Sequence, residues 1–394
     1  MKKYIYTSIV LAALAVGCTK SSLVEVPQYQ ETPIEFDVYN GKVPMTKAAS
    51  IIGATGTPTS PGVSLADAGR FHVTAFKHQE TTDETTGETV SVYSADNLHF
   101  DKDITWSSDT WAPSTPVFWP ATGSLDFVAY GKNASKTVTE KRNDATADYP
   151  TLVFDNASPY TQFTYTVPVA VADQEDLVVS KILSEKSLDD GTNVVSFEMK
   201  HVLSRIGFKV ETKGSGTAVK IKEITLNGSF VNSGTVDLAS DEEPSIIPSS
   251  NTNDVQTSYT LFTSGQSFEI SPEEDGTYVI FDNSDIDYNE TNEDVLNAAI
   301  YEAQATRYMM IMPGEVSNLS GGNKPSIHVV YEIGGVEKYK DFPLTTDNTP
   351  EGINMSFEGG YAYEYIFTIS VAQIDFTGTV EPWDEDDDDI NVRP

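Results

Sequence analysis

Cys18 is the only cysteine among the 394 residues, and its thiol is the most distinctive reactive group in the sequence. It closes the stretch Leu14-Ala15-Val16-Gly17-Cys18. Small residues ahead of a cysteine let a signal peptidase approach the backbone, and a thiol at that junction can accept diacylglycerol. Lys2 and Lys3 supply a basic start, and Tyr4 to Val16 is an uncharged, largely apolar run. That run falls short of the roughly 20 residues a permanent membrane helix needs. It therefore reads as the core of a cleaved signal peptide over residues 1–17, with Cys18 as the lipidated first residue of the mature chain. Ala15 stands where leucine is commoner in such junctions. With no second cysteine, no disulfide can form within the chain, so stability must come from core burial.

The remaining candidates for chemistry fail their spacing tests. There is no G-x-S-x-G, H-E-x-x-H or C-x-x-C, and no glycine-rich phosphate loop ahead of a helix. The five histidines, at 72, 78, 99, 201 and 328, are scattered, and His201 in Phe197-Glu198-Met199-Lys200-His201 reads as structural. Asp285-x-Asp287-x-Asn289 opens like a calcium loop, but Glu290 holds the glycine position and Leu296 the bidentate glutamate position. Asp384 to Asp389 is a run of six acids, which is ordinarily a solvated tail. Trp106, Trp111 and Trp119 are close in sequence, and exposed rings of this kind can stack on sugars; burial in a core is their commoner fate. The expectation is a chain with no catalytic residue, no metal and no cofactor.

The elements that carry these residues read as strands. Ile34-Glu35-Phe36-Asp37-Val38-Tyr39 alternates apolar and polar, so Ile34, Phe36 and Val38 face one side of a half-buried strand. Phe71–Phe76, Val90–Tyr93, Phe118-Trp119, Leu125–Tyr130, Leu152–Phe154 and Leu177–Val179 continue the series. Ser184 to Gly191, ending Asp189-Asp190-Gly191, reads as a turn or linker and sets the expected domain boundary. The second half adds Val194–Phe197, Leu203–Glu211, Lys220–Leu226, Gly234–Leu238, Tyr259–Phe262, Tyr278–Phe281 and Arg307–Met312. It closes with Ile327–Ile333, Tyr339–Phe342, Tyr361–Val371 and Ile374–Val380. Only Glu293 to Ala305 has helical character. Short strands at roughly ten-residue spacing imply an all-β chain of two tandem antiparallel β-sandwiches, transthyretin-like in class. The expected organisation is a leader (1–17), a tether and pro-segment (18–47), an N-terminal sandwich (48–190) and a C-terminal sandwich (191–394) with an acidic tail (384–394).

Composition agrees. Tyr and Phe contribute 19 and 18 residues, which favours strands. The formal charge is −34, from 59 acids against 25 bases. A surface that acidic repels nucleic acid and anionic lipid, and suits a chain displayed outside the cell.

In order along the chain, four stretches resemble the fimbrillin family, the subunits of type V pili. They are the early strand with Thr46-Lys47-Ala48 and the run Val117-Phe118-Trp119-Pro120-Ala121-Thr122-Gly123-Ser124-Leu125-Asp126-Phe127-Val128-Ala129-Tyr130. The third is Asp176-Leu177-Val178-Val179-Ser180 followed by Val195 to Ile206, and the fourth is the C-terminal strand pair ending Glu381-Pro382-Trp383. The resemblance implies a lipidated precursor sent to the outer membrane, where a trypsin-like protease cuts after a basic residue. The cut removes a strand, and a strand of the next subunit fills the groove. Carried onto this chain, the leaving strand is Ile34–Tyr39 and the cut falls after Lys47, with Lys42 as the second candidate. Both are lysines where the family often has arginine. The implied partners are other pilus subunits, the outer membrane through the lipid on Cys18, and a host or glycan ligand; the implied location is the fimbrium at the cell surface. The competing reading is a surface lipoprotein that binds glycans and never polymerises.

Overall fold

The structure is a computed structural model. It describes residues 32–40, 43–44, 70–132, 152–212, 219–262, 268–270, 276–279, 309–316, 324–345, 353–354, 356–369 and 374–382, apart from positions 83, 85, 86, 108, 109, 172, 173 and 175. Cys18, Lys42, Lys47, the expected helix Glu293–Ala305 and the acidic tail lie outside the described residues. Within them the chain is all-β, with a short 3-10 turn at Leu188–Asp190. No helix of the described residues is long and apolar enough to cross a membrane.

The first principal strands are β1 (Glu35–Asn40), β2 (Arg70–Lys77), β3 (Leu98–Ser107), β4 (Thr110–Pro113), β5 (Leu125–Lys132), β6 (Leu152–Phe154), β7 (Gln162–Thr166), β8 (Leu177–Ser180) and β9 (Val194–His201). They are followed by β10 (Ser204–Thr212), β11 (Val219–Val231), β12 (Ser233–Asp237), β13 (Val255–Phe262), β14 (Ser326–Ile333), β15 (Val336–Thr345), β16 (Tyr361–Ile369) and β17 (Ile374–Pro382).

Alternation builds the first layer. Ile34, Phe36 and Val38 point inward, as do Phe71, Val73 and Ala75 of β2 and Leu125, Phe127 and Ala129 of β5, and together they form one apolar core. The strands around it run β8-β9-β1-β4-β3-β2-β5, and β5 pairs back onto β8 through Leu177↔Lys132, Val178↔Gly131 and Val179↔Tyr130. Where an antiparallel sandwich is expected, the pairings close into a ring of seven. One of them is parallel: β1 runs beside β9 from Glu35↔Val194 to Asn40↔Met199.

A second core begins on the outer side of the same ring. Phe76, Val128 and Tyr130 face away from the barrel interior and pack with Phe154, Phe163 and Tyr165. Those three rings belong to a four-stranded sheet in the order Ile247-Pro248, β12, β7, β6, so strands from both halves of the sequence share it. The core continues into the C-terminal part. There β10, β16 and β17 form one sheet with Gly276–Val279 and Met309–Ile311, and β13, β11, β14 and β15 form the other. Phe342 of the second sheet meets Phe367 of the first at 5.5 Å between ring centres.

The turn at Asp189-Asp190-Gly191 is present, with Gly191 at φ 83, where a side chain would be strained. It leads into β9, which lies inside the ring, so the chain leaves the barrel only at Val202-Leu203, beyond the boundary expected near residue 190. The strand β3 is absent from the expected set because Asp101-Lys102-Asp103 breaks the apolar rhythm. The structure couples those carboxylates to His72.

Candidate functional site

Among the described residues, the second side of β1 is sparsely paired, with one residue pair to β4 and two to Val43-Pro44. Its side chains are deep in the core: Ile34 is 5%, Phe36 6% and Val38 0% exposed. Phe36 meets Phe100 edge-on at 6.1 Å, above a floor of Phe71, Trp111, Phe127 and Phe197 in edge-to-face contact. Burying three such side chains stabilises the seat by about 1.5–3 kcal/mol each. Toward β9 the ladder has six residue pairs, and the Glu35 N–H donates to the Asn193 carbonyl at 2.9 Å. Toward β4 it has one, Phe36↔Trp111. A separate short contact holds the start of the strand: the Ile34 N–H donates to Val117 O, and the Trp119 N–H donates to Thr32 O.

Between these two contacts the chain detours through Pro113-Ser114-Thr115-Pro116. Proline has no N–H to donate, so a ladder cannot run through this stretch. The result is a cleft of about 480 Å³ lined by Glu35, Phe36 and Asp37 on one wall and by Thr110, Ala112, Pro113 and Pro116 on the other, with Trp106 and Trp111 beside them. Among the described residues, its charged lining groups are the carboxylates of Glu35 and Asp37.

Other seams of the barrel are tied by side chains. His72 reaches Asp103 through Nδ1 and Asp101 through Nε2, both at 2.8 Å, and Thr74 donates to Asp101 at 2.6 Å; these join β2 to β3. His78, just past β2, contacts Asp126 of β5 at 2.9 Å, and the fully buried carboxylate raises the imidazole pKa above its ordinary value. Asp126 also accepts the N–H of Glu185, a residue held at φ 56. His201 at the end of β9 meets Asp176 beside β8 at 2.7 Å, with both groups buried. Among the described residues, Glu35 and Asp37 of β1 make no ion pair. This difference between seams is invisible in the sequence, because it depends on which carboxylates the register sets opposite which histidines.

The remaining candidates fall as follows. His99 bonds to the Phe118 carbonyl and His328 to Asp341, so each of the five histidines has a hydrogen-bond partner. No group of three or more His, Cys, Asp or Glu among the described residues could hold a metal ion. Trp111 and Trp119 are 5% and 3% exposed and serve the barrel core, so neither can be a platform for a sugar; Trp106 is half-buried at the cleft. Ile34, Phe36 and Val38 are brought together on one face of β1, whereas Cys18, Lys42 and Lys47 lie outside the described residues.

An all-β barrel completed by a single N-terminal strand, joined through a shared sheet to a two-sheet C-terminal part, is the frame on which the comparisons bear. A sequence profile described as fimbrillin-like matches residues 63–383, and the chain belongs to that family. No curated protein sequence matches the chain. Among solved structures, it is similar to a fimbrial protein from Bacteroides vulgatus, at 15% identity and a TM-score of 0.47, over 89% of this chain and 99% of that one. It is also similar to the tip fimbrial protein Mfa3 from Porphyromonas gingivalis with a C-terminal truncation. That likeness has 11% identity and a TM-score of 0.37, over 81% of this chain and 96% of that one.

Proposed function

We propose that this chain is a structural or tip subunit of a bacterial type V pilus that assembles by strand replacement. The observation that carries this reading is the asymmetry of β1: its apolar face completes the barrel core, yet one residue pair joins it to β4. Loss of β1 would leave an apolar groove bordered by two strand edges, and such edges template an incoming strand. Membership in the fimbrillin-like family supports the same role. The barrel and the C-terminal part then correspond to the two tandem domains of a transthyretin-like subunit, whose role is structural rather than catalytic.

The precursor is exported as a lipoprotein with a signal peptide over residues 1–17, acylated at Cys18, and delivered to the cell outer membrane and the fimbrium. A cut after Lys47, or after Lys42, frees the segment that contains β1. The donor is β17 of another copy. Ile374-x-Phe376-x-Gly378-x-Val380 repeats the first two apolar positions of Ile34-x-Phe36-x-Val38 at the same spacing and adds a fourth, and β17 is the last strand of its sheet, paired to β16. Other pilus subunits are the partners, and a host or glycan ligand would sit elsewhere than on Trp111 or Trp119.

N-terminal sequencing of the surface-exposed form tests this. The expected mature start is Ala48, and Lys42→Ala with Lys47→Ala should abolish oligomers seen in unheated gel samples. A chain that begins at Cys18 on assembled fibres, or a trimmed chain that stays monomeric, rejects the stalk role.

A further inference from the structure

A chain that exposes strand edges must keep copies of itself from pairing along them. Three edges of this molecule are blunted by shape. β6 is three residues long, Ile247-Pro248 is two, and the ladder of β13 with β11 shifts register twice. β15 is built otherwise. It is ten residues long, keeps register with β14 through eight pairs, and has its proline, Pro343, beyond the exposed stretch. Among the described residues its other side is paired at Leu344 and Thr345 alone, and Val336 to Asp341 are all exposed.

The protection of that stretch is chemical. Lys338 and Lys340 stand opposite the buried Tyr331 and Val329, so both lysines occupy the core-facing side of β15, which Phe342 continues. The Lys340 ammonium lies 6.0 Å from the centre of the Phe342 ring. Among the described residues neither lysine makes an ion pair, whereas Lys222 in the same sheet holds both Glu332 and Glu337. The chain has 59 acids against 25 bases, so a pair of bases left without acids is a departure from its own composition.

Antiparallel pairing of this edge with the same edge of a second copy, centred on Tyr339, sets Lys338 opposite Lys340 twice. Moving the centre to Lys338 or to Lys340 sets that lysine opposite its own counterpart. Side chains so placed are about 5 Å apart at Cβ, and like charges directly opposite destabilise the ladder. Without the lysines the pairing would be favourable, because Tyr339, 71% exposed, would meet the second copy's ring on the outer face. We infer that Lys338 and Lys340 are the residues that bar β15 of one copy from pairing with β15 of another. The inference is independent of which strand completes the barrel.

The test follows self-association of the uncut chain by sedimentation velocity. Lys338→Glu turns both cross pairs from like to opposite charge. This variant should form a dimer with a dissociation constant at least about tenfold below that of the unaltered chain. Lys338→Glu combined with Lys340→Glu restores like charges and should return the monomer. Both side chains are exposed, so neither change disturbs the core. In the dimer, amides within Val336–Asp341 should gain protection from hydrogen exchange. A monomeric Lys338→Glu chain, a dimer that persists in the double variant, or a dimer without that protection overturns the inference.

Discussion

Among the described residues three strand pairs run parallel, and the two long ones are built to opposite ends. In the barrel, β1 lies parallel to β9 over six residue pairs. In the C-terminal part, β16 lies parallel to β10 over eight, from Arg205↔Ala362 to Thr212↔Ile369. Both bury aromatic rings: Phe36 in one, Phe367, Tyr363 and Tyr365 in the other. The difference is the second edge. β16 is zipped along its other side to β17 through nine residue pairs, whereas β1 meets β4 at one. Within one unassembled copy a parallel ladder therefore does not decide how firmly a strand is held; the far edge does, and donation of β17 would open that edge of β16.

The largest expected effect lies in the locked pair. Phe367→Ala removes a fully buried ring that stacks on Phe208 and meets Phe342, and should cost about 4 kcal/mol of global stability in urea denaturation. Phe36→Ala deletes the same side chain, but its effect should be limited to release of β1. The urea midpoint should fall by about half as much as for Phe367→Ala, while the β1 amides lose protection from exchange. Equal costs for the two variants, with uniform loss of protection, would erase the contrast. In the unaltered chain the Val38 amide should exchange faster than that of Phe367, although both side chains are fully buried.

A smaller effect concerns the side-chain ties that β1 lacks. Asp126 raises the folded-state pKa of His78, so the tie contributes in full below the ordinary histidine value of about 6.5 and is lost as pH rises through the raised value. Thermal unfolding of the barrel should shift downward by a few degrees between about pH 6 and about pH 9, and His78→Gln should flatten that dependence. The smallest effect is on the surface. Glu243 takes part in exposed ion pairs with Lys200 and Lys181, which lower its own pKa, and Glu243→Gln should leave the melting temperature unchanged within error.

The strands that could be read in advance are those whose alternation is local. Ile34–Tyr39 and Ile327–Ile333 show their buried faces in the order of their residues, and both fold as read. The closure of the ring is a matter of partners, and β5 meets β8 across some fifty intervening residues, a relation no local pattern encodes. For the same reason the acidic turn at Asp189-Gly191 is visible, but not that it joins strands of one barrel rather than two domains. The sheet made from β7 and β12 was equally hidden, since Phe163 and Val236 are neighbours only in register. At the candidate site, the inward trio of β1 was legible and the cleft was not. Pro113 and Pro116 announce an interruption, but the strand whose ladder they interrupt is seen only in three dimensions.

The direction of β1 also has a mechanical meaning. Because it runs parallel to β9, the chain enters β1 at Glu35 beside Asn193, the end of the barrel from which β9 sets out, and β9 departs at His201 toward the C-terminal sheets. A pull between Thr32 and the C-terminal part therefore slides the two strands past each other. All six residue pairs resist together, as bolts in a lap joint do. A pull on the chain that follows Asn40 instead loads the pairs one after another, like a zipper. The same ladder is thus strong against tension arriving from the N-terminal side and weak against traction on the chain that follows it.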